Sequence, residues 1–395
     1  MSRIENLMNE LCPNGVERVK LNEICEIYDG THQTPDYKNF GVPFISVENI
    51  GNIYNSTKYI SMEDYNKYKI KPQINDIFMT RIGSIGKCAV FEKDMDLAYY
   101  VSLALLRPDN KRVNSHFLKH LIESTTGTKE LRKRTLVNAV PIKINKDDIG
   151  KIKIPVPPLE VQRKIVRILD IYSEKNTQLT EALYSEIELR KKQYKYYRNM
   201  LLNFDNSVEW RTLGDVCEIF TGGEAPKESI REKVSRDDYI YPIYSNGVGN
   251  NSIWGFAKTY RINKTAVTFS SIGTIGCPTL RQPYFTPIIR LKVLIPKDDN
   301  VLSVKFLKYS LETVEFGHQK SSVPNINANM LKSISIPVPP IEEQERIVKI
   351  LDRFDRLCND LTDGLPAEIS ARQKQYEYYR DKILTFKEED YENRR

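Results

Sequence analysis

The sequence predicts an α+β fold: two mixed α/β domains in tandem repeat, separated by two long antiparallel helices that form a coiled coil with pseudo-twofold symmetry. A long repeat is the first observation behind this prediction. Residues 154–204 and 336–386 align without insertion at a constant offset of 182 positions, and a repeat of this length indicates a duplicated architecture. The other two observations are the helical periodicity of both copies and a weaker repeat before each copy.

Both copies begin with a proline-rich run, IPVPP, that fixes where a helix starts. Prolines occupy positions 155, 157 and 158 in the first copy and 337, 339 and 340 in the second. Proline holds the chain extended and disfavours helix in the residue before it. We therefore expect long helices to begin at Leu159 and Ile341.

Apolar residues then recur at steps of three and four, with polar or small residues filling the gaps at Asn176, Arg190, Cys358 and Arg372. This pattern predicts a coiled-coil seam. A helix of about 45 residues is about 65 Å long, and a globular domain cannot bury such a rod alone, so we expect each copy to pack on the other. The predicted seam positions are Ile165, Ile168, Tyr172, Leu179, Leu183, Ile187, Tyr194, Tyr197, Leu201 and Phe204, and then Ile347, Ile350, Phe354, Leu361, Leu365, Ile369, Tyr376, Tyr379, Ile383 and Phe386.

The second helix carries an interruption. Gly364 and Pro366 lie in the middle of its pattern, where proline removes a backbone donor and clashes with the preceding turn. We expect a kink or a short break there, with a helix restarting near Pro366.

Composition permits an acidic partner without requiring one. The 395 residues include 59 basic and 52 acidic side chains, for a net charge of +7. The six cysteines form no CxxC pair and no metal-binding spacing. With no signal peptide and no apolar run of about 20 residues, the sequence predicts a soluble, cytoplasmic protein.

Each long helix is preceded by related α/β landmarks. Residues 19–30 match 211–222 at an offset of 192, and amphipathic helices are expected at 114–124 and 303–313. Further pairs are 41–51 with 238–249, 76–87 with 266–277, 98–108 with 284–296 and 136–158 with 320–340. The predicted division is a first domain at 1–154, a helix at 155–204, a second domain at 205–336, a second helix at 337–387 and a charged tail at 388–395.

These features resemble the specificity subunit of Type I restriction-modification systems. The resemblance rests on the runs IPVPPLEVQ and IPVPPIEEQ, the endings QYKYYR and QYEYYR, the turn DGTHQTP at 29–35 and the order globule, helix, globule, helix. It implies two target-recognition domains, each reading one half of a split, asymmetric DNA target. It also implies a non-catalytic chain that docks modification subunits, which methylate adenine, and separate restriction subunits, which cut DNA. Because each repeated helix presents an equivalent surface, the repeat predicts two modification subunits, and up to two restriction subunits are expected with them. S-adenosylmethionine, ATP and magnesium are then expected only in the partner subunits, with no cofactor in this chain.

Motifs for chemistry are missing from the sequence. It has no P-loop, and Gly83 to Lys87 has the wrong spacing for one. It also has no Asn-Pro-Pro-aromatic segment of an adenine methyltransferase. His116 and His120 are four residues apart but lack the surrounding H-E-x-x-H pattern, so surface positions on a helix are the expected reading.

Two GxxG segments, GSIG at 83–86 and GTIG at 273–276, allow two interpretations. Each can be a structural tight turn, or a loop whose backbone approaches DNA. Arg81 and Lys87 make the first copy the better DNA candidate because their cations suit phosphates or guanine edges.

Loop residues with hydrogen-bonding side chains are the candidate DNA contacts, since such groups can pair with base edges in the major groove. The alternative is that they are there because they form turns. The candidates are Thr31, His32, Gln33, Ser46, Glu48, Asn49, Arg81, Ser84 and Lys87 in the first half, and Ser245, Asn246, Asn250, Asn251, Ser271 and Thr274 in the second.

The helices carry the candidate partner-binding residues. The runs RKKQYKYYR and RQKQYEYYR place tyrosines on the seam and lysines outside it, which favours helix packing and docking of a subunit over phosphate contact. The candidates are Gln162, Tyr194, Tyr196, Tyr197, Gln344, Tyr376, Tyr378 and Tyr379. A coiled-coil scaffold whose domains bind protein rather than DNA is the alternative function.

Overall fold

The computed structural model describes residues 8, 10–205, 207–247, 249–270, 277–314, 327–360 and 362–388. The chain divides into two compact units. The first unit is Met1–Ala182 with Ile369–Arg395, and the second unit is Leu183–Glu368. Each unit therefore contains one globular region and parts of both repeated helices.

The first globular region alternates short strands with short helices. Its strands are β1 (Arg18–Lys20), β2 (Cys25–Asp29), β3 (Val42–Ile45), β4 (Tyr59–Ile60), β5 (Ile77–Thr80), β6 (Cys88–Val90), β7 (Ala98–Tyr99), β8 (Leu103–Pro108) and β9 (Lys153–Pro155). Its helices are α1 (Met62–Asn66), α2 (Ser115–Glu123), α3 (Thr125–Arg132) and α4 (Lys146–Gly150), with 3-10 turns at Leu21–Glu23 and Val47–Asn49. Helix α5 (Leu159–Leu201) follows.

The second globular region has the same kind of order. Its strands are β10 (Trp210–Thr212), β11 (Cys217–Thr221), β12 (Ser229–Ile230), β13 (Tyr241–Tyr244), β14 (Ile253–Ala257), β15 (Ala266–Phe269), β16 (Thr279–Arg281), β17 (Thr286–Pro287), β18 (Lys292–Pro296) and β19 (Ser335–Pro337). Its helices are α6 (Leu213–Val216), α7 (Val304–Leu311) and α8 (Ala328–Lys332), with a 3-10 turn at Gly249–Ser252. Helices α9 (Ile341–Asn359) and α10 (Leu365–Ile383) complete the chain.

The repeated landmarks form equivalent sheets. In the first unit, an antiparallel sheet has the order β2-β8-β5-β6, and in the second unit the order is β11-β18-β15-β16. The first strand of each region also pairs with the IPVP run that precedes a long helix, Arg18 opposite Pro155 and Trp210 opposite Pro337. The structure thus confirms the amphipathic helices predicted at 114–124 and 303–313, which are α2 and α7.

The central sheet of the first unit is covered on both faces, which explains why all four residues of β5 are buried. Ile77 and Met79 face a core shared with Phe117 of α2 and with Ile165 of α5. Phe78 faces a second core on the opposite side. The core of the second unit repeats the first pattern, joining the sheet to α7 and α9.

The helix boundaries agree with the proline and glycine signals. Helices α5 and α9 begin at Leu159 and Ile341, directly after the prolines. The second repeated helix is broken as expected, because α9 ends at Asn359 and α10 begins at Leu365. A Cβ on Gly364 would lie 2.6 Å from the carbonyl oxygens of Arg356 and Asp360, so the break requires glycine. Pro366 lies in the first turn of α10, where its missing N–H costs nothing.

Within each unit the repeated helices pair antiparallel. In the first unit, Leu169 and Leu384 share one core, and Asn176 lies 3.3 Å from Gln373. In the second unit, Tyr197 stacks on Phe354 with ring centroids 5.6 Å apart.

The predicted seam register is wrong in the middle of α5. Tyr172 is 52% exposed and Leu179 is also exposed, whereas Leu169 is buried and Ser173 and Thr180 are partly covered. The covered positions Leu169, Ser173, Asn176, Thr180, Leu183 and Ile187 keep alternating steps of four and three. The seam therefore follows a 3.5-residue repeat here, and the apolar Tyr172 and Leu179 each lie one position off it. Leu361 lies outside the described residues. In the part of the chain that the structure describes, none of the helices is long and apolar enough to cross a membrane.

Candidate nucleic-acid interface

Several predicted DNA contacts of the first unit lie together along one edge of the central sheet, the edge formed by the ends of its strands. Strands β2 and β5 end at this edge, and β8 and β6 begin there, because neighbouring strands are antiparallel. The backbone N–H of Thr31 donates to Tyr99 O at 3.1 Å, and that of Arg81 donates to Ser102 O at 3.0 Å. Residues 99–102 therefore link the DGTHQTP turn to the GSIG loop.

Strand β3 brings a third predicted segment to the same edge. It runs parallel to β7, so the backbone N–H of Tyr100 donates to Ile45 O at 2.9 Å, and that of Val47 donates to the Ser102 hydroxyl at 3.3 Å. Ser46, Glu48 and Asn49 follow directly. We call this surface, residues 30–33, 46–49, 81–87 and 99–102, the first edge.

The predicted residues of the first edge differ in the solvent exposure of their side chains. His32, Gln33, Glu48, Ser84 and Lys87 are exposed, whereas Thr31, Ser46 and Asn49 are partly covered. The side chain of Asn49 is used internally: it accepts from the backbone N–H of Ser46 at 3.1 Å and donates to Asn55 O at 3.1 Å. Glu48 forms an exposed ion pair with Lys58 at 3.3 Å.

The GSIG segment is a tight turn. Gly83 has φ of +75°, in the region that favours glycine. The Thr80 carbonyl accepts from the backbone N–H of Gly86 at 2.9 Å, and the Thr80 hydroxyl accepts from that of Lys87 at 3.0 Å. These bonds close the loop and leave Ser84 and Lys87 exposed at its surface. The turn and DNA interpretations are thus compatible for this copy.

Arg81 is buried, which argues against the predicted direct contact with DNA. Its guanidinium pairs with the Asp29 carboxylate and donates from Nε to Ile144 O at 3.2 Å. The side chain therefore joins the end of β2 to the segment before α4. Sequence reasoning missed this role because Asp29 is 52 residues away.

The second unit builds the equivalent edge from residues 221–223, 244–246, 270 and 287–292, which we call the second edge. The backbone N–H of Ile288 donates to Tyr244 O at 2.9 Å, and that of Gly222 donates to Leu291 O at 2.8 Å. Ser245 and Asn246 lie in this edge, and the Ser270 hydroxyl donates to Asn246 O at 3.1 Å.

Three predicted contacts of the second unit, Asn250, Ser271 and Thr274, lie wholly or partly outside the described residues. Asn250 lies in the 3-10 turn Gly249–Ser252, and its side chain is outside the description. Ser271 and Thr274, with the whole GTIG segment, are outside the described residues. Asn251 is exposed, two residues before β14.

The two edges differ in their buried cations. Thr221 occupies the repeat position of Asp29, and its hydroxyl accepts from Lys292 Nζ at 3.0 Å. Lys292 is buried, and this burial lowers the pKa of its ammonium group. Among the described residues no carboxylate pairs with it, whereas Arg81 is neutralised by Asp29. Lys292 was missed because it sits inside an apolar strand pattern.

The two predicted glutamines, Gln162 and Gln344, have internal roles. Both are fully buried. Gln162 Oε1 accepts from the backbone N–H of Asn114 at 2.8 Å, and Gln344 Oε1 accepts from that of Ser303 at 2.9 Å. Neither side chain presents a surface to a partner, so their burial argues against direct docking.

The predicted tyrosines separate into packed and exposed sets. Tyr194 donates its hydroxyl to Glu312 at 2.5 Å, and burial together with this carboxylate raises its pKa. Tyr197 packs on Phe354, and Tyr376 contacts Arg380. By contrast, the repeat equivalents Tyr196 and Tyr378 are 65% and 61% exposed, and Tyr379 is also exposed.

The buried His120 contacts the half-exposed Asp170 in the first unit. Their Nε2 and Oδ1 atoms are 2.8 Å apart, and Tyr309 donates to Asp352 at 2.5 Å at the repeat position. The His120–Asp170 contact anchors α2 to α5, and the Tyr309–Asp352 bond anchors α7 to α9. His120 is therefore not the surface residue that the sequence suggested. Across the described residues, no group of three His, Cys, Asp or Glu side chains could hold a metal ion.

Comparison with known proteins gives the family. Residues 13–189 and 206–371 match the Methylase_S family, described as Type I restriction modification DNA specificity domain. The specificity subunit of the EcoR124I/EcoR124II type I restriction enzyme of Escherichia coli is 38% identical over 272 residues, covering 60% of this chain and 63% of that protein. A Mycoplasma pneumoniae protein assigned as a type I specificity subunit, S.MpnORF89P, is 32% identical over 71% of this chain and 85% of its own length.

Solved structures show the same fold. A chain from a type I R-M system structure aligns with a TM-score of 0.64 at 20% identity, over 94% of this chain and 98% of its own. The HsdS subunit of Thermoanaerobacter tengcongensis aligns with a TM-score of 0.53 at 19% identity, over 95% and 96%. These matches confirm the predicted α+β class with tandem domains and long helices. The chain belongs to the Type I restriction-modification DNA specificity family.

Proposed function

We propose that this chain is the non-catalytic DNA specificity subunit of a Type I restriction-modification complex. The observation that carries the proposal is that one scaffold builds the same sheet edge twice with different side chains. The first edge holds a neutral Arg81–Asp29 pair, and the second holds the buried cation Lys292 beside Thr221. Two edges with different chemistry suit two different half-sites of an asymmetric target.

Each edge then reads one half-site in a groove of duplex DNA. The exposed side chains of His32, Gln33 and Ser84 offer hydrogen-bond donors and acceptors at the first edge, and groups of this kind can distinguish base pairs in the major groove. The exposed Lys87 contacts phosphate, a contact that positions the protein without reading sequence.

The repeated helices set the spacer between the half-sites and dock the partners. We place one modification subunit near Tyr196 and another near Tyr378, because these exposed tyrosines are repeat equivalents. Two restriction subunits can join the same complex. S-adenosylmethionine, ATP and magnesium belong to the partners, which flip and methylate the target adenine and cut DNA, while this chain binds no cofactor.

Binding to duplex DNA tests the proposal against the alternative of a protein-binding scaffold. The full chain, purified with its modification subunit, is titrated onto DNA fragments at several salt concentrations. Specific recognition gives a preference for one split sequence, with an affinity that falls as salt rises. Exchange of residues 1–154 for the corresponding domain of another specificity subunit should change one half-site only. A complex that binds all duplexes equally, or none, overturns the proposal.

A further inference from the structure

An exposed apolar loop lies beside the first edge. Residues 136–143, LVNAVPIK, form this apolar loop between α3 and α4. Val137 is 67% exposed and Val140 is 100% exposed, and Leu136 and Ile142 are exposed as well. A contiguous apolar patch on a polar surface indicates a binding site.

Backbone hydrogen bonds fix the apolar loop to the GSIG turn. The N–H of Leu136 donates to Lys143 O at 2.8 Å and closes the loop. The N–H of Gly83 donates to Ile142 O at 2.9 Å, and the N–H of Ile144 donates to Arg81 O at 3.0 Å. The loop is therefore continuous with the surface that carries Ser84 and Lys87.

Exposed cations lie on the segments that adjoin this apolar tip: the end of α3, the end of the loop and the end of the GSIG turn. Arg132, Lys143 and Lys87 are exposed, and none of them forms an ion pair with another described residue. Lys133 and Arg134 are different, because both pair with Glu130. An apolar tip with a positive rim fits duplex DNA, whose phosphates flank base edges that include the thymine methyl group.

We propose that the apolar loop enters a groove of the DNA bound by the first unit. Val137 and Val140 contact base edges there, with thymine methyl groups as the matching apolar partner, while Arg132, Lys143 and Lys87 contact the flanking phosphates. The inference rests on the proposed function and adds a reading element that the sequence pattern did not reveal.

The test uses the full chain with its modification subunit. The double variant Val137→Ser/Val140→Ser is compared with the wild type and with Ile74→Ser, in which the exposed aliphatic precedes β5 at the opposite edge of the same sheet. Affinity is measured for duplex DNA carrying both half-sites and for duplexes with either half-site scrambled.

The double variant should bind the intact target about tenfold or more weakly, since buried methyl groups are lost. It should also stop discriminating between intact and scrambled sequence at one half-site. This is the half-site whose sequence changes when residues 1–154 are exchanged. Retained discrimination at the other half-site shows that the complex is folded. Lys143→Gln should leave sequence preference intact and reduce the salt dependence of log K by about 0.9.

Three results separate the possible failures. Wild-type affinity and discrimination in the double variant overturn the apolar-loop proposal and leave the proposed function standing. Loss of the modification subunit with unchanged DNA discrimination also overturns it, and assigns the loop to a protein contact. A wild-type complex without any sequence preference overturns the proposed function itself, and the loop proposal with it.

Discussion

Gln162 donates from Nε2 to the carbonyl oxygen of Pro157 at 2.7 Å, and Gln344 makes the same bond to Pro339 at 2.8 Å. The same amide group of Gln162 also donates to Arg112 O at 3.0 Å. Each glutamine thus ties its extended proline run and the segment before α2 or α7 to the first turn of a long helix. These hydrogen bonds hold each globular region against the start of its helix.

Replacement of this glutamine should destabilise a unit. Gln344→Leu leaves buried backbone groups without partners, which costs about 2–4 kcal/mol in the free energy of unfolding. Trp210 and Trp254 both lie in the second unit, so denaturant unfolding followed by tryptophan fluorescence reports the change. The exposed Gln282→Leu is the matched control and should change the free energy by less than about 0.5 kcal/mol. Equal stability of the two variants would show that the buried amide is dispensable.

Arg81 should act on stability rather than on base recognition. Arg81→Met leaves the Asp29 carboxylate without its partner. Breaking a fully buried ion pair costs about 3 kcal/mol or more in the free energy of unfolding. We expect a smaller loss here because Asp29 is partly exposed. Hydrogen exchange of β5 and β8 measures this loss. The neighbouring Lys87→Met should leave exchange unchanged and weaken DNA binding. An Arg81→Met chain of normal stability that loses one half-site would identify the guanidinium as a base contact.

His120 should make the stability of the first unit depend on pH. Burial lowers the pKa of His120, although its contact with Asp170 opposes this shift. The unfolded chain therefore takes up the proton at higher pH than the folded chain. The stability contributed by neutral His120 is complete above the ordinary pKa of about 6.5 and is lost as pH falls through the lower folded pKa.

Hydrogen exchange of α2 at pH 7 and pH 5 measures this dependence. Protection of the wild type should fall more steeply with acid than that of His120→Gln, which keeps a donor for Asp170. Carboxylates titrate in both proteins, so the difference isolates the histidine. Identical pH profiles would mean that His120 has the same pKa in the folded and unfolded chains.

The exposed tyrosines should control partner stoichiometry. Tyr196→Ala and Tyr378→Ala should each weaken one modification-subunit site by about 2 kcal/mol, or about thirtyfold, as expected for an aromatic hot spot. Native mass spectrometry then shows complexes with one modification subunit in place of two. Tyr184→Ala, an exposed tyrosine on α5 outside the repeated ending, is the control. If both variants still bind two modification subunits, the docking surface lies elsewhere on the chain.

Local signals predicted most of the fold. The prolines placed the starts of α5 and α9, and Gly364 with Pro366 placed the break before α10, because backbone restrictions act within a few residues. The repeat predicted equivalent strands for the same reason: each copy carries its own alternation of apolar residues.

The side-chain roles that the sequence did not predict depend on contacts between residues far apart in the chain. The burial of Arg81 depends on Asp29, and the role of Gln162 depends on Arg112 and Asn114, none of which lies within one turn of its partner. The seam after Leu169 was hidden because the polar side chains of Ser173 and Thr180 occupy its partly covered positions, which an apolar pattern does not mark. Exposure of Val137 and Val140 was also hidden, since the run LVNAVPI has the composition of a buried segment.

The central claim is that this chain selects the DNA sequence that its partner methylates. Genome-wide adenine methylation, read by long-read sequencing, should be compared between cells with this chain plus its modification subunit and cells that lack only this chain. We expect a split, asymmetric motif that is methylated in the first cells and unmethylated in the second. An unchanged methylation pattern, with all subunits confirmed as expressed, would contradict it.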